Sequence, residues 1–305
     1  MPCMRLGHFD LNLFVTLDAL LETRSITRAA ERLHIGASAT SSALGRLREH
    51  FGDELLVQVG RRMELTPLAQ SLREPVRDLI LRAQATLAAS DEFDPTSANR
   101  RFVFNASDYA TTVLLTPLAQ KLEAMAPGIS IDVVGLGDSN LQRLERGDVD
   151  IAIYPDRNAS DAHPQEALLE ESYTCVVWTG FRMAGEHLSF DEYMQARHVA
   201  AQFGDQRVAT FESWFMSTHG VPRQVVVTAS SFNALPLLVV GTQRIATMHT
   251  RLARMYARML PVKLLAPPFE IPALNLVMQW NRHNERDAAH AWLRQQLKQI
   301  ARLAA

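Results

Sequence analysis

From residue 10 to about residue 90 the apolar positions recur at three- and four-residue steps, the spacing of helix faces packed against a core. Leu13, Phe14, Leu17, Leu20 and Leu21 fall on one such face, and Asp10 stands where an N-cap belongs. Ile26, Ala29, Ala30 and Leu33 form a second face behind the cap residue Ser25. After a break at Ile35-Gly36-Ala37, a third helix is expected to start at a Ser38 cap and to bury Ala39, Ala43 or Leu44, Leu47 and Phe51. Two short helices with a short Gly-bearing joint form the helix-turn-helix pattern. Leu55 to Val59 and Met63 to Leu65 then read as two strands around a Gly60-Arg61-Arg62 turn, a small wing with arginines at its tip. Thr66-Pro67 opens a longer helix. Its stripe of Leu68, Leu72, Val76, Leu79, Ile80, Ala83 and Leu87 runs to about Ala89, with a kink expected at Pro75. A second copy of the same helix is the simplest partner for such a stripe.

Residues 90–101 are polar and read as a linker. Beyond them strands alternate with helices. Strands are expected at 102–106, 129–134, 149–153, 173–178, 198–201, 224–227, 244–247 and 274–280, with helices at 112–125, 138–145, 209–218, 231–240, 250–258 and 287–303. The alternation predicts parallel α/β sheets. Proline-bearing stretches near 154–164 and 266–272 predict two lobes, with the chain crossing out and back so that the first lobe regains its last strand and helix.

The 305 residues carry 31 Lys+Arg against 33 Asp+Glu, a net charge of −2, which taken whole argues against a nucleic-acid partner. The average misleads. Residues 24–62 hold seven arginines against four acids, a local +3. On the third helix Ser38, Thr40, Ser41, Ser42, Arg46 and Arg48 are expected to face a DNA groove. Arg28, Arg32, Arg61 and Arg62 would add phosphate contacts. Residue types alone leave a generic helical bundle with solvated arginines equally open.

Cys3 and Cys175 are far apart in sequence, and no CxxC occurs. With no signal-peptide core in residues 1–20 and no apolar run of about 18 residues, a cytoplasmic protein without a membrane partner is expected. The ten histidines form no HExxH, and neither a GxSxG elbow nor a Walker loop occurs, so neither catalysis nor a metal is expected. His283, Asn284 and His290 read as solvated surface, His163 and His187 as loop residues, and Cys175 as packing in an apolar strand.

Asp10-Leu11-Asn12-Leu13, Arg24 through Leu33, Leu44-Gly45-Arg46-Leu47-Arg48, Asp53-Glu54-Leu55-Leu56 and Leu65-Thr66-Pro67 together resemble the N-terminal domain of LysR-type transcriptional regulators. The resemblance continues at Gly147-Asp148-Val149-Asp150-Ile151-Ala152-Ile153. Phe93-Asp94-Pro95, Ser107-Asp108-Tyr109, Arg244-Ile245-Ala246-Thr247 and Trp292-Leu293-Arg294 resemble the branch holding nodulation and aromatic-degradation regulators. It implies a winged helix-turn-helix over 1–66, a dimerisation linker helix over 67–90 and a two-lobed, periplasmic-binding-protein-like effector domain over 91–305. The first lobe would comprise about 100–160 and 270–305, the second about 161–269.

Promoter DNA, a small aromatic or carboxylated effector, a second copy of the chain and then a tetramer, and RNA polymerase follow as implied partners; no cofactor beyond the effector is implied. Ligand entry would change lobe closure and DNA bending. Strand ends followed by helix starts expose unpaired N–H groups suited to such a ligand. The corresponding positions are Ser107, Asp108, Tyr109 and Thr111; Gln202 and Phe203; Thr228, Ser230, Ser231 and Phe232; and Met248 with His249. One departure bears on function: where the family begins its recognition helix Ser-Gln-Pro-Ala, this chain has Gly36-Ala37-Ser38-Ala39. Base readout is therefore expected to shift toward Thr40, Ser41 and Arg46. A small-molecule sensor with a vestigial DNA-binding head is the second reading, prompted by the same four residues. Paired-cysteine redox sensing, known among relatives of this family, lacks its pair here.

Overall fold

A computed structural model describes residues 9–88, 93–137, 139–182, 185–203 and 211–304. It comprises two compact units, Met1–Ala88 and Ala89–Ala305. In the first, α1 (Asn12–Thr23), α2 (Ile26–Leu33) and α3 (Ala37–Phe51) enclose Leu13, Leu17, Leu20, Ala29, Leu44 and Leu47. Asp10 Oδ1 accepts the Asn12 N–H at 3.0 Å, although Leu11 holds the cap position itself. Ser25 caps α2 through the Arg28 N–H at 3.4 Å. The cap of α3 is Gly36 rather than Ser38, and the inward stripe is Thr40, Leu44 and Leu47. Ala39, expected inside, is exposed. The phase of a helix is set by its bulkiest buried residues, and Leu44 and Leu47 place Thr40 inside.

The strands β1 (Leu56–Val59) and β2 (Arg62–Leu65) pair antiparallel, Val59 opposite Arg62, around Gly60 at φ 62°. That left-handed conformation suits glycine in a two-residue hairpin loop. Thr66 then caps α4 (Pro67–Ala88), its Oγ1 accepting the Ala69 N–H at 3.1 Å and donating to Asp53 at 2.6 Å. The helix continues through Pro75. Val76 is buried, and Arg77 pairs with Asp18 of α1 at 2.7 Å, whereas Leu68, Leu79 and Leu87 are exposed.

The second unit runs β3 (Arg100–Ala106), α5 (Asp108–Ala110), a π turn Thr111–Leu115, α6 (Thr116–Met125), β4 (Ile129–Val134), α7 (Asn140–Glu145), β5 (Ile151–Pro155) and a 3₁₀ turn Asp156–Asn158. It continues with β6 (Gln165–Glu171), β7 (Tyr173–Trp178), α8 (Phe190–Gln195), β8 (Arg197–Ala201), α9 (Phe211–His219), β9 (Val225–Ala229), α10 (Leu235–Val239), β10 (Arg244–His249), α11 (Thr250–Ala257), β11 (Val262–Leu265), β12 (Leu274–Trp280) and α12 (Ala288–Ala304). Two five-stranded sheets result, ordered β4-β3-β5-β12-β6 and β11-β7-β10-β8-β9.

Both sheets are mixed, correcting the expectation of parallel ones. β3 pairs parallel with β4 and β5, and β8 with β9 and β10. β12 runs antiparallel to β5 and β6, and β7 antiparallel to β10 and β11. The reason is connectivity: β12 and β7 enter their sheets from the crossings between sheets, not through a helical crossover, which alone restores the parallel direction. β6, β11 and α8 were not expected. β6 (QEALLEE) hides among polar residues because only alternate positions face the core. Part of the expected linker, 90–92, the expected end of the long helix at 89, and the expected helix residues 138, 209 and 210 lie outside the described residues.

Candidate functional site

On α3, Ser38, Ser41, Ser42 and Arg46 are exposed and form an outward face. Thr40 does not join them. It is fully buried and its Oγ1 donates to the Gly36 carbonyl at 3.2 Å, which satisfies the hydroxyl inside the helix turn and removes it from any groove. Arg48 is likewise committed elsewhere. Its Nε donates to the Glu54 carbonyl at 2.8 Å and its Nη2 to the Leu56 carbonyl at 3.1 Å, with the Glu54 carboxylate at 3.0 Å. Arg48 thus fastens the start of the wing to α3. Arg61 and Arg62 are exposed at the wing's turn. Arg28 donates to the Thr23 carbonyl, and Arg32 pairs with Glu22. Both guanidiniums stay on the surface, beside the end of α1 rather than beside α3.

Between the two sheets of the second unit lies a cavity of about 160 Å³. β3 and the turn after it supply Ser107 and Tyr109, β8 supplies Ala200 and Ala201, and β10 supplies Thr247, Met248 and His249. Five rings cluster in the wall: His249 lies 4.2 Å from Tyr109, 4.5 Å from Phe232 and 5.3 Å from Tyr173, and Phe203 lies 4.8 Å from Phe232. Such walls receive planar, apolar molecules. Burial lowers the His249 pKa to about 3, so the ring is neutral, and its Nδ1 is buried without a hydrogen-bond partner. The Tyr109 hydroxyl donates to the buried Glu171 carboxylate, which also lies 3.3 Å from Arg251. Burial first, and the Glu171 charge second, raise the Tyr109 pKa far above that of a free phenol, so it remains a donor.

Of the expected ligand residues, Ser107, Tyr109, Phe203, Phe232, Met248 and His249 line this cavity. The others do not. Asp108 spans the two sheets: its Oδ2 accepts from Ser231 Oγ at 2.7 Å, the Asn233 backbone N–H at 2.9 Å and Asn233 Nδ2 at 3.0 Å. Ser231 also accepts the Ala234 N–H at 3.2 Å, so Asp108 and Ser231 form a clasp and not a ligand cradle. Thr111 returns its hydroxyl to the Ser107 carbonyl at 2.9 Å. Thr228 lies within β9, which runs two residues further than expected, and both it and Ser230 face solvent. Gln202 contributes its backbone N–H to the Ala229 carbonyl at 2.8 Å. Sequence reasoning missed Tyr173, Phe211, Glu212 and Arg157 in the wall. They sit at strand and helix starts on crossings and loops, where only topology brings them inward.

His290 corrects the reading of the C-terminal histidines as solvated. It is buried in α12, with Nε2 donating to the Asp150 carbonyl at 3.1 Å and Nδ1 accepting from Arg294 at 2.8 Å. Among the described residues no group of three His, Cys, Asp or Glu could hold a metal ion. Cys175 is buried and its thiol is pushed up to about 12 by burial; Cys3 lies outside the described residues. A second polar cluster lies beside the cavity. Arg223 is buried, donates to both carboxylate oxygens of Glu212 and reaches Thr247 at 3.1 Å, with His198, held neutral by burial and by Arg223 itself, at 3.3 Å. Among the described residues no helix is long and apolar enough to cross a membrane.

Two family models match the chain: bacterial regulatory helix-turn-helix protein, lysR family, over residues 11–70, and LysR substrate binding domain over residues 96–302. Nodulation protein D 2 of Rhizobium tropici is 37% identical over 300 residues, covering 98% of this chain and 95% of its own. Nodulation protein D 1 of Rhizobium leguminosarum bv. phaseoli is 36% identical over 298 residues, with the same coverage of 98% and 95%. Among solved structures, a probable transcriptional regulator from Pseudomonas aeruginosa aligns at TM-score 0.66 and 30% identity, over 96% of this chain and 98% of that one. Full-length OxyR from Pseudomonas aeruginosa shares the fold, at TM-score 0.70 and 16% identity over 97% of this chain and 95% of that one. The helix-turn-helix match spans α1 to the start of α4, and with the head complete the vestigial-head reading is dropped.

Proposed function

The chain belongs to the LysR family of bacterial transcriptional regulators, in which a DNA-binding helix-turn-helix precedes an effector-binding domain, and from that premise we propose that its effector is a small planar aromatic molecule held in the 160 Å³ cavity. The observation that carries this reading is the ring cluster of Tyr109, Tyr173, Phe203, Phe232 and His249. An aromatic guest stacks or meets these rings edge-on at small cost, and a polar edge of the guest can satisfy the unpartnered His249 Nδ1. Ser107 and Tyr109 on one side and Phe203, Phe232 and His249 on the other are the proposed contacts.

On DNA, Ser38, Ser41, Ser42 and Arg46 face the major groove, while Arg28, Arg32, Arg61 and Arg62 meet phosphates. The exposed stripe Leu68, Leu79 and Leu87 of α4 supports residues 67–90 as the dimerisation helix between a head over 1–66 and an effector domain over 91–305. Pairs of dimers form the working tetramer, which acts on promoter DNA in the cytoplasm and engages RNA polymerase there. Because the guest touches both sheets, occupancy biases how they close on one another, and closure alters the spacing of the DNA-binding heads. Such coupling is reciprocal. Operator DNA should therefore change effector affinity by the same factor as effector changes operator affinity. Calorimetric titration of effector with and without operator tests this, and identical affinities would refute it.

A further inference from the structure

The cavity opens beside an outer groove of about 340 Å³, and Arg157, Tyr173, Phe211 and Leu274 belong to the walls of both. Among the described residues the inner wall carries two charged side chains, Arg157 and Glu212. Glu212 is already neutralised, since both of its carboxylate oxygens accept from the buried Arg223. Arg157 takes part in no ion pair among the described residues, and its charge reaches Tyr173 in the shared wall. Its position is fixed by its own turn. Asp156 Oδ1 accepts the Arg157 N–H at 2.7 Å, and Asp156 Oδ2 accepts Asn275 Nδ2 at 3.2 Å. His249 is neutral, so it brings no positive charge to the cavity. The result is an aromatic chamber with one uncommitted guanidinium at its junction with the outer groove.

An anion buried in such a chamber is unfavourable unless a charged partner meets it, and a guanidinium matches a carboxylate in a two-pronged geometry. We infer that Arg157 is a specificity-determining residue that selects effectors bearing a carboxylate, with the aromatic ring among Tyr109, Phe232 and His249 and the carboxylate at the junction of cavity and groove. The inference rests on the cavity being the effector site.

Benzoate and cinnamate, with their uncharged isosteres benzamide and cinnamamide, separate the two ideas when titrated calorimetrically into the full chain, its Arg157→Gln variant and its Arg157→Lys variant. Unaltered protein should bind each acid roughly tenfold more tightly than its amide, the equivalent of about 1.4 kcal/mol. Arg157→Gln should abolish that preference while leaving amide affinity unchanged, which also shows that the variant is folded. Arg157→Lys should keep part of the preference. Because Arg157 is exposed, the preference should shrink as salt is added. Equal affinity for acid and amide, or a preference that survives in Arg157→Gln, would overturn the role of Arg157 while leaving the aromatic cavity standing. Failure of all four probes to bind would remove the cavity reading and this inference together.

Discussion

Replacing Asp108 with alanine cuts the clasp between the two sheets. Three donors converge on its Oδ2: Ser231 Oγ at 2.7 Å, the Asn233 N–H at 2.9 Å and Asn233 Nδ2 at 3.0 Å. A hydrogen bond to a charged group contributes about 1.5–3 kcal/mol, but three donors sharing one oxygen cannot each contribute in full. A total of about 3 kcal/mol is the working value, of which Ser231→Ala should remove about 1 kcal/mol. For a domain near this size each kcal/mol moves Tm by roughly 2–4 °C, so Asp108→Ala should lower it by roughly 6–12 °C and Ser231→Ala by roughly 2–4 °C. The double variant should melt only slightly below Asp108→Ala, because without the carboxylate the serine hydroxyl keeps only the Ala234 N–H to lose. Scanning calorimetry of the full chain reads all three. A drop below about 2 °C in Asp108→Ala, or strictly additive losses in the double variant, would refute the clasp.

Two other outcomes follow from particular side chains. Arg46→Ala should weaken operator binding and relax base preference at the position it reads, whereas Thr40→Val, on the buried stripe with Leu44 and Leu47, should leave base preference intact; unchanged footprint affinity in Arg46→Ala would contradict the assigned face. Burial lowers the pKa of His198 and His249 to about 3 and that of His290 to about 4, so the unfolded chain, titrating near 6.5, takes up these protons first. Their contribution to stability is therefore present above about pH 6.5 and lost as pH falls toward the folded values, by about 1.4 kcal/mol per pH unit for each ring. Urea midpoints should fall steeply from pH 6.5 to 4, and less steeply in His290→Gln; a flat profile over that range would exclude the mechanism.

The helical head was legible because each helix there buries a stripe of its own and carries local signals, Ser25 and Thr66 among them, that do not depend on distant residues. The bounds of β4, β7 and β12 were legible for the same reason, being apolar runs between turn residues. Thr40 was misread because a threonine on a polar stretch looks exposed until the phase fixed by Leu44 and Leu47 is known. β6 and β11 escaped because their burial depends on partners more than 80 residues away or on strand order, neither of which periodicity encodes. Of the cavity, Ser107, Tyr109, Phe203, Phe232, Met248 and His249 were readable at strand-to-helix junctions, and the larger part of the wall was not. Asp108 and Ser231 stood at those junctions too, yet they face each other, and only the meeting of the two sheets reveals it.

The return of β12 also sets an order of assembly. Every strand of the second sheet comes from one continuous stretch, 173–265, whereas the first sheet needs β12, 274–280, between β5 and β6. Among the described residues β6 pairs with no strand but β12, and Ile151 of β5 waits for Trp280 across more than a hundred residues of chain. During synthesis the inserted sheet can therefore close while its host sheet is still unfinished, with β5 as an open edge. Within the second unit the sheet begun first is completed last, and a ribosome stalled before residue 274 leaves exposed the kind of strand edge on which chains aggregate.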